Sequence, residues 1–511
     1  MTDPAAADPD LAAGFSEDQS AALAALSEVL SAHGAALGAA AAPREPGESG
    51  PAETVAVLGK AGSGKTALLA HLARALAASG LDAVSADYEP RRKRTGRSFA
   101  VLAPTNKAAS VLRARGVPAT TAHRVLYVPV YDPEFEKIAR WLTEPDQPEP
   151  VVEGVDAAML ARIRASFAAH GSVPAALAAS GLRGADFIKG WTRRDEALDI
   201  GLVDEASMLD DRMVEDLREL FDLLILFGDP AQLAPVGQSG AMVFDALPPE
   251  RKLTLARVHR QAEGNPILDL AHALQDPALD FEGFERLLEL LAARDDRVAL
   301  APRADADLMT RAPMLCWRNA TRIRLIAAFR AAHGAPSDRL APGEPLICDG
   351  VELPLKHRKS RVDLEARGLV KGAPAVYLGE GRRGGFARLH VVGAPEPLVN
   401  AAAIIKIETP DEADPLIASA ARMGAVFLHG AACTIHKAQG SQWPEVQVFA
   451  PDLYAAARSG RMEAGVELWR RLAYVAVTRA QERLFWVSRW RMSKPQRPLG
   501  VDDLFGAPKV G

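Results

Sequence analysis

TVAVLGKAGSGKTALLAHLARALAASG, residues 54–80, is the stretch on which the fold turns. Thr54 to Leu58 is β-branched and apolar in the manner of a buried parallel strand, and ALLAHLARALAASG has helical periodicity closing at Gly80. Between them GKAGSGKT, Gly59 to Thr66, satisfies every specified position of the phosphate-binding pattern G-x-x-x-x-G-K-[ST]. A glycine-rich loop joining a strand to a helix N-terminus turns its backbone N–H groups and the positive end of the helix dipole toward an anion. In that setting Gly59, Ala61, Gly62, Ser63 and Gly64 cradle phosphates, Lys65 reaches the β and γ oxygens, and the Thr66 hydroxyl ligates Mg²⁺. The flanking strand and helix separate this pattern from a chance glycine-rich turn, so the chain is read as binding a nucleoside triphosphate.

A P-loop leaves open what the hydrolysis is used for. In LDIGLVDEASML an apolar strand (Ile200 to Val203) runs into Asp204 and Glu205. Carboxylates at a strand's C-terminal end sit where a doubly wound sheet places its ligand, which suits Asp204 to Mg²⁺ and Glu205 to the attacking water; a solvated acidic turn is the plainer alternative. In DLLILFGDPAQLAPVGQSG a second strand (Leu223 to Phe227) leads to Asp229, Pro230 and Gln232. The Gln232 amide suits a γ-phosphate or a water, and Asp229-Pro230 equally suits a simple turn. Arg260 in LARVHRQ and Arg479 in YVAVTRAQE lie far along the chain. A guanidinium offered from a second domain neutralises charge developing on a γ-phosphate, worth about 10³ to 10⁵ in rate. Most of the 60 lysines and arginines are nonetheless surface residues, and chemistry alone singles out neither.

Taken in order, GKAGSGKT, APTNKAA with TAHR, VDEAS, GDPAQLAPV, VHRQ, TIHKAQGSQ and AVTRAQE resemble the superfamily 1 helicases, in particular the RecD-like and Dda-like branch that moves 5′→3′ on single-stranded DNA. The resemblance runs from Gly59 to Glu482, most of the chain. It implies an ATP-dependent DNA helicase that translocates 5′→3′ and unwinds duplex in DNA repair or recombination, with ATP and Mg²⁺ as cofactors. Gln19 in GFSEDQSAAL matches the adenine-reading glutamine, although it also fits a polar position on an amphipathic helix. Lys65 and Thr66 take the phosphates and metal, Asp204 and Glu205 the metal and catalytic water, Gln232 the coupling role, and Arg260 and Arg479 the γ-phosphate from two sides. Pro104, Thr105, Asn106, Thr121 and His123 follow a strand end and offer groups suited to phosphate and sugar oxygens, with Thr434, His436 and Lys437 as their counterpart in the second motor domain. A histidine in TAHR is equally compatible with a buried, satisfied ring. Arg318 and Asn319, after the strand APMLCW, are further candidates for the DNA-facing surface.

The fold expected is α/β, with two RecA-like P-loop motor domains of parallel sheet. Residues 1–53 form a tail, helix and linker; 54–125 plus 198–262 the first motor domain; 126–197 an inserted pin or wedge subdomain; 263–339 plus 427–492 the second motor domain; 340–426 an inserted small β-barrel; 493–511 a C-terminal tail. In the N-terminal segment Ser16 is the expected N-cap of a helix. In the first insertion Trp141, Phe187 and Trp191 suit core packing better than a wedge. The short β segments with Gly and Pro turns between Leu340 and Val426 match the SH3-like barrel that the family carries there. Two basic clusters, PRRKRTGR (Pro90 to Arg97) and KHRKSR (Lys356 to Arg361), border the DNA path or form solvated loops.

At 511 residues the chain has room for about three domains, and 48% hydrophobic with 24% charged residues is ordinary for a globular protein. A net charge of −5 supplies no global basic field, so affinity for nucleic acid must come from a local groove. Cys316, Cys348 and Cys433 are widely spaced and odd in number, which suggests neither a disulfide framework nor a zinc site of the C-x-x-C type and suits a reducing cytosol. The start MTDPAAADPDLAAGF is unlike a signal peptide, and no apolar run approaches membrane-spanning length, so a cytoplasmic protein without membrane contact is expected. The expected partners are single-stranded DNA and duplex junctions, with single-stranded-DNA-binding or recombination proteins beside them, and the expected state is a monomer. The short stretch before the P-loop favours a self-contained helicase over a nuclease subunit. Three other readings stay open: an ATP-controlled DNA clamp or translocase that does not unwind, an RNA-directed helicase, and, more weakly, a P-loop kinase.

Overall fold

The computed structural model describes residues 14–40, 52–84, 96–144, 147–153, 155–170, 173, 176–177, 188–194, 197–235, 241–257, 264–352, 369, 372–382, 384–394, 396–408, 416–417, 424–463 and 465–501. Two parallel sheets dominate it. The first is built from β1 (Glu53–Gly59), β2 (Asp82–Val84), β3 (Ser98–Ala103) and β4 (Ala119–Thr121), followed, beyond an insertion, by β7 (Leu198–Val203), β8 (Phe221–Gly228) and β9 (Lys252–Leu255). Its order is β2-β3-β7-β8-β1-β9, and β4 pairs with β3 beyond the end of β2. The near-continuous apolar runs of these strands are explained by burial on both faces. In β1, Val55 and Val57 enter one core with the helix Lys65–Ala78, while Ala56 enters the other with Leu102, Val203 and Leu226. The helix Glu17–Ala32, with Ser16 at its N-cap, packs Ala22, Leu26 and Leu30 into the same core as Val55. It belongs to this layer rather than to a separate leader.

The insertion is tied to the first sheet by an antiparallel ribbon of β5 (Tyr127–Tyr131) and β6 (Ile188–Arg193). Helices Pro133–Thr143 and Ala157–His170 close over a small core of Ile138, Ala139, Leu160 and Ile163, and Trp141 packs against that core with Arg164 over its ring at 5.3 Å. Trp191 stands opposite Pro129 in the ribbon, and Phe187 lies outside the described residues.

The second parallel sheet holds β10 (Val298–Ala301), β11 (Met314–Cys316), β18 (Ala432–Thr434), β19 (Trp443–Phe449) and β22 (Ala480–Val487), ordered β10-β22-β19-β11-β18. After β11 the helix Asn319–Ala332 ends before Gly334, which takes the left-handed conformation at φ +64°. Between β11 and β18 stand β12 (Pro345–Glu352), β13 (Pro374–Glu380), β14 (Phe386–Val391), β15 (Leu398–Ile407), β16 (Leu416–Ile417) and β17 (Gly424–His429). The pairings β14-β13-β12-β17-β15 close on themselves through β14–β15, making a small barrel. The boundary expected at 426/427 cuts through β17: its ladder with β12 continues to His429, so the barrel does too. A short hairpin, β20 (Met462–Glu463) with β21 (Val466–Glu467), precedes the helix Leu468–Val477.

A buried ionic knot joins barrel and sheet. Glu344, fully buried ahead of β12, accepts from Arg330 Nε (3.0 Å), His429 Nε2 (2.7 Å) and the Ala341 N–H (2.7 Å). Burial alone pushes the Glu344 carboxyl up, but the His429 and Ala341 bonds and Arg330 outweigh it and leave the group below its usual range. Removing one member of such a knot strands the opposite charge in a low-dielectric interior. Glu344→Ala is therefore expected to destabilise this half of the chain by about 3–5 kcal/mol, read as a shifted urea midpoint for the barrel-bearing transition.

Candidate active site

At the end of β1 the chain turns through Lys60 to Gly64, with Gly62 (φ +83°) and Gly64 (φ +79°) in the left-handed region. An L side chain there costs about 1–2 kcal/mol, which is why the pattern specifies glycine before the lysine. Lys65 Nζ donates to the carbonyls of Gly59 (2.5 Å) and Lys60 (3.0 Å), holding its ammonium back over the loop. The Ser63 hydroxyl is buried with no hydrogen-bond partner among the described residues. Thr66, the second residue of the helix, is half-buried. Paired left-handed glycines, an orphaned buried hydroxyl, a lysine over the loop and a helix N-terminus together fit a phosphate group.

Gln19 is fully buried beside this loop. Its Oε1 accepts from the Ser16 N–H and hydroxyl (3.0 Å each), and its Nε2 approaches the carbonyls of Gly64 (3.4 Å) and Ser63 (3.5 Å). The side chain is thus a strut between the first helix and the back of the loop, and both ends of its amide are engaged.

From β7 come Asp204 and Glu205. The Asp204 N–H donates to Leu102 O (2.9 Å), and the Glu205 N–H to Asp204 Oδ1 (3.0 Å). Among the described residues Glu205 is the only non-glycine at positive φ, at 51°. Backbone strain of this kind persists where the surroundings over-determine it. Here Gln232 Nε2 donates to Glu205 Oε2 at 3.0 Å, and the Ser207 hydroxyl donates to Gln232 Oε1 at 3.4 Å. Burial, and then the neighbouring Glu205, pushes the Asp204 carboxyl up to about 7 against the pull of Lys65.

The second sheet closes the cleft with the helix Leu468–Val477. Tyr474 donates its hydroxyl to Asp229 Oδ2 (2.5 Å) and accepts the N–H of Ala61 in the P-loop (3.0 Å). Arg471, one turn earlier, donates to the Gln232 carbonyl (2.7 Å), and His272 Nε2 lies 3.4 Å from the Ala61 carbonyl. Asp229 also accepts from the Ala231 N–H (3.0 Å), so the plain turn role and a cross-cleft contact coexist in one carboxylate. Arg479 is buried and donates to Val475 O, Ser441 O (3.0 Å each) and Thr478 Oγ1 (3.1 Å). Burial lowers its pKa, while Glu205, Tyr474 and Asp229 support its charge. Arg260 lies outside the described residues.

The candidate nucleic-acid contacts form two matching units. β4 ends at Thr121 and leads into the helix Ala122–Leu126 bearing His123; β18 ends at Thr434 and leads into the helix Ile435–Ala438 bearing His436 and Lys437. Partial desolvation lowers the pKa of both imidazoles, although His123 is the more exposed of the two. Pro104 and Thr105 follow β3, with the Thr105 hydroxyl accepting from the Ala108 N–H (3.2 Å) and Asn106 opening the helix. Gly440, just past the second unit, comes close to the first half: a Cβ placed on it would stand 3.4 Å from Thr105 Oγ1. Arg318 and Asn319 are differently placed. The Arg318 guanidinium and N–H both bind Asp452, a fully buried carboxylate that also takes the Thr321 hydroxyl, and Asn319 Oδ1 accepts from Arg322. Asp452, Arg471 and Tyr474 escaped the reading of the sequence. Tyr474 alone left a signal, its place five residues before Arg479 in YVAVTRAQE. Of the two basic clusters, only Gly96 and Arg97 are described, and Arg97 pairs with Asp199 at 3.2 Å.

These features define a P-loop ATPase with a paired second sheet. A family described as AAA domain matches residues 48–298, and the UvrD-like helicase C-terminal domain matches residues 429–487. No curated protein matches the chain. Among solved structures it is similar to Pif1 helicase from Candida albicans (TM-score 0.46, 15% identity, covering 93% of this chain and 95% of that one). It is also similar to Bacteroides Pif1 bound to single-stranded DNA (TM-score 0.44, 14% identity, 93% and 92% covered). With its motifs in order, an AAA-domain match on the first half and a UvrD-like helicase C-terminal match on the second, the chain is an ATP-dependent DNA helicase.

Because Gln19 joins the helix cap to the loop, Gln19→Ala is expected to lower stability by about 1–3 kcal/mol even without nucleotide. An unchanged denaturant midpoint would show the strut to be idle.

Proposed function

We propose that the chain hydrolyses ATP in the cleft between its two sheets to move 5′→3′ along single-stranded DNA and open the duplex ahead. The observation that carries this reading is the repeated strand–Thr–x–His–helix unit, Thr121 to His123 and Thr434 to His436, placed once on each sheet. Two like grips on separately moving halves are what stepping along a backbone requires, and such contacts hold a strand without reading its sequence.

In this reading the P-loop amides and Lys65 bind the triphosphate, and Thr66 and Asp204 would hold Mg²⁺, which when bound neutralises charge on the phosphate oxygens. Glu205, held by Gln232, takes the proton of the attacking water, and Gln232 in turn registers the γ-phosphate. Arg479 and Arg260 supply positive charge to the transferring phosphoryl group as the halves close. The ribbon of β5 and β6, on which Val130 is exposed, is the proposed wedge. Opening duplex costs about 1.4 kcal/mol per stacked step on average, so wedge and motor are both needed. A role in repair or recombination beside single-stranded-DNA-binding proteins is the setting we favour, with the protein acting as a monomer in the cytoplasm.

Strand displacement on partial duplexes with a 5′ or a 3′ single-stranded tail, in ATP and Mg²⁺, tests the proposal. Displacement of the 5′-tailed substrate alone, abolished in Lys65→Ala, is the expected result. DNA-stimulated hydrolysis without displacement of either substrate would sink it and leave a clamp or a translocase; displacement confined to RNA duplexes would redirect it. Glu205→Gln is expected to retain nucleotide while hydrolysis falls by about 10²- to 10⁴-fold, read in single-turnover assays.

A further inference from the structure

One hydroxyl in the cleft does two things at once. Tyr474 belongs to the second sheet's helix, yet its oxygen accepts the P-loop N–H of Ala61 at 3.0 Å while its proton goes to Asp229 Oδ2 at 2.5 Å. Both Tyr474 and Asp229 are buried, at 1% exposure each. A phenol has one proton to give, and giving it to a carboxylate makes its oxygen a better acceptor for the amide. The same helix presents Arg471 one turn away, donating to the Gln232 carbonyl at 2.7 Å. A single rigid element thus holds the phosphate-binding loop, the strand-end carboxylate and the backbone of the γ-phosphate-sensing glutamine.

The Ala61 N–H belongs to the loop that receives the phosphates, and an N–H has one strong bond to give. We propose that the Tyr474 hydroxyl competes with nucleotide phosphate for that amide, so that Tyr474 is a positioning residue coupling phosphate arrival to release of the contact between the halves. Nucleotide binding must first displace Tyr474 from Ala61, and loss of nucleotide lets the phenol return and hold the halves in register. Arg479, five residues on, is carried by the same helix end, so the displacement of Tyr474 and the approach of the arginine to the site are parts of one movement. This inference rests on the nucleotide site proposed above.

The test is direct binding of ADP, with Mg²⁺, to the full chain by titration calorimetry. Tyr474→Phe keeps the ring and removes the competitor, so ADP is expected to bind about two- to tenfold more tightly, the size of one net hydrogen bond. A purely structural role for the hydroxyl would weaken binding, so the direction of the shift separates the two. Equal or weaker binding overturns the inference. Should Tyr474→Phe fail to fold because Asp229 is left charged and unpartnered, the comparison is made between Asp229→Asn and the double variant Tyr474→Phe/Asp229→Asn. There too, loss of the hydroxyl must tighten ADP for the inference to stand. Wild type that binds no ADP would overturn the nucleotide site itself, a result distinguishable from normal wild-type binding with no gain in the variant.

Discussion

Burial of opposed charges in the seam between the sheets is the constraint on which the remaining architecture depends. Lys65, Asp204, Glu205, Asp229 and Arg479 are brought to one cleft from four strand or helix ends, and an unpaired ion there would cost several kcal/mol. The parallel sheets solve this by geometry. Every central strand of a doubly wound sheet releases its chain at the same edge, so β1, β7 and β8 deliver the loop, the acidic pair and the Asp229 turn side by side. The backbone then holds Glu205 in a conformation that a non-glycine residue rarely takes, and the Gln232 amide fastens its carboxylate.

Across the seam Leu233 of the first half is buried in the second half's core, with Ala61 and Ala231 packed against it, and polar contacts lie beside them. Tyr474, Arg471, His272 and Gln439 each reach a backbone or carboxylate group of the first half. Such contacts exchange readily for others of similar strength, because each net hydrogen bond contributes only about 0.5–1.5 kcal/mol. Within each half the opposite holds. Strands buried on both faces, and the Glu344 knot between barrel and second sheet, tie each half together internally.

Much of this was legible in the linear chain, for a definite reason. The P-loop, the helix closing at Gly80 and the helix capped by Ser16 are governed by contacts a few residues apart, and local patterns of apolar spacing and left-handed glycine report such contacts faithfully. The acidic pair was legible because it follows an apolar strand directly, and Gln232 because it stands in the turn released by the next one. The barrel was visible as short turn-rich strands, but its end was not, since nothing local distinguishes Val426 from His429 within one ladder.

Gln19 shows where local pattern stops. Its place on an amphipathic helix was readable, yet burial against the Ser63 and Gly64 carbonyls follows from packing that helix on the first sheet. Arg318 was readable as a candidate for the DNA-facing surface, but its bond to Asp452, on a helix far along the chain, was not. The Ala61–Tyr474 bond joins residues 413 positions apart, and no periodicity or spacing can register such a pair. Composition and short-range pattern settled which chemical groups this helicase carries and which strand ends bear them. Which of those groups share a proton, neutralise one another or meet across the cleft depended on long-range packing, because buried electrostatics are set by distance in space and not by distance along the chain.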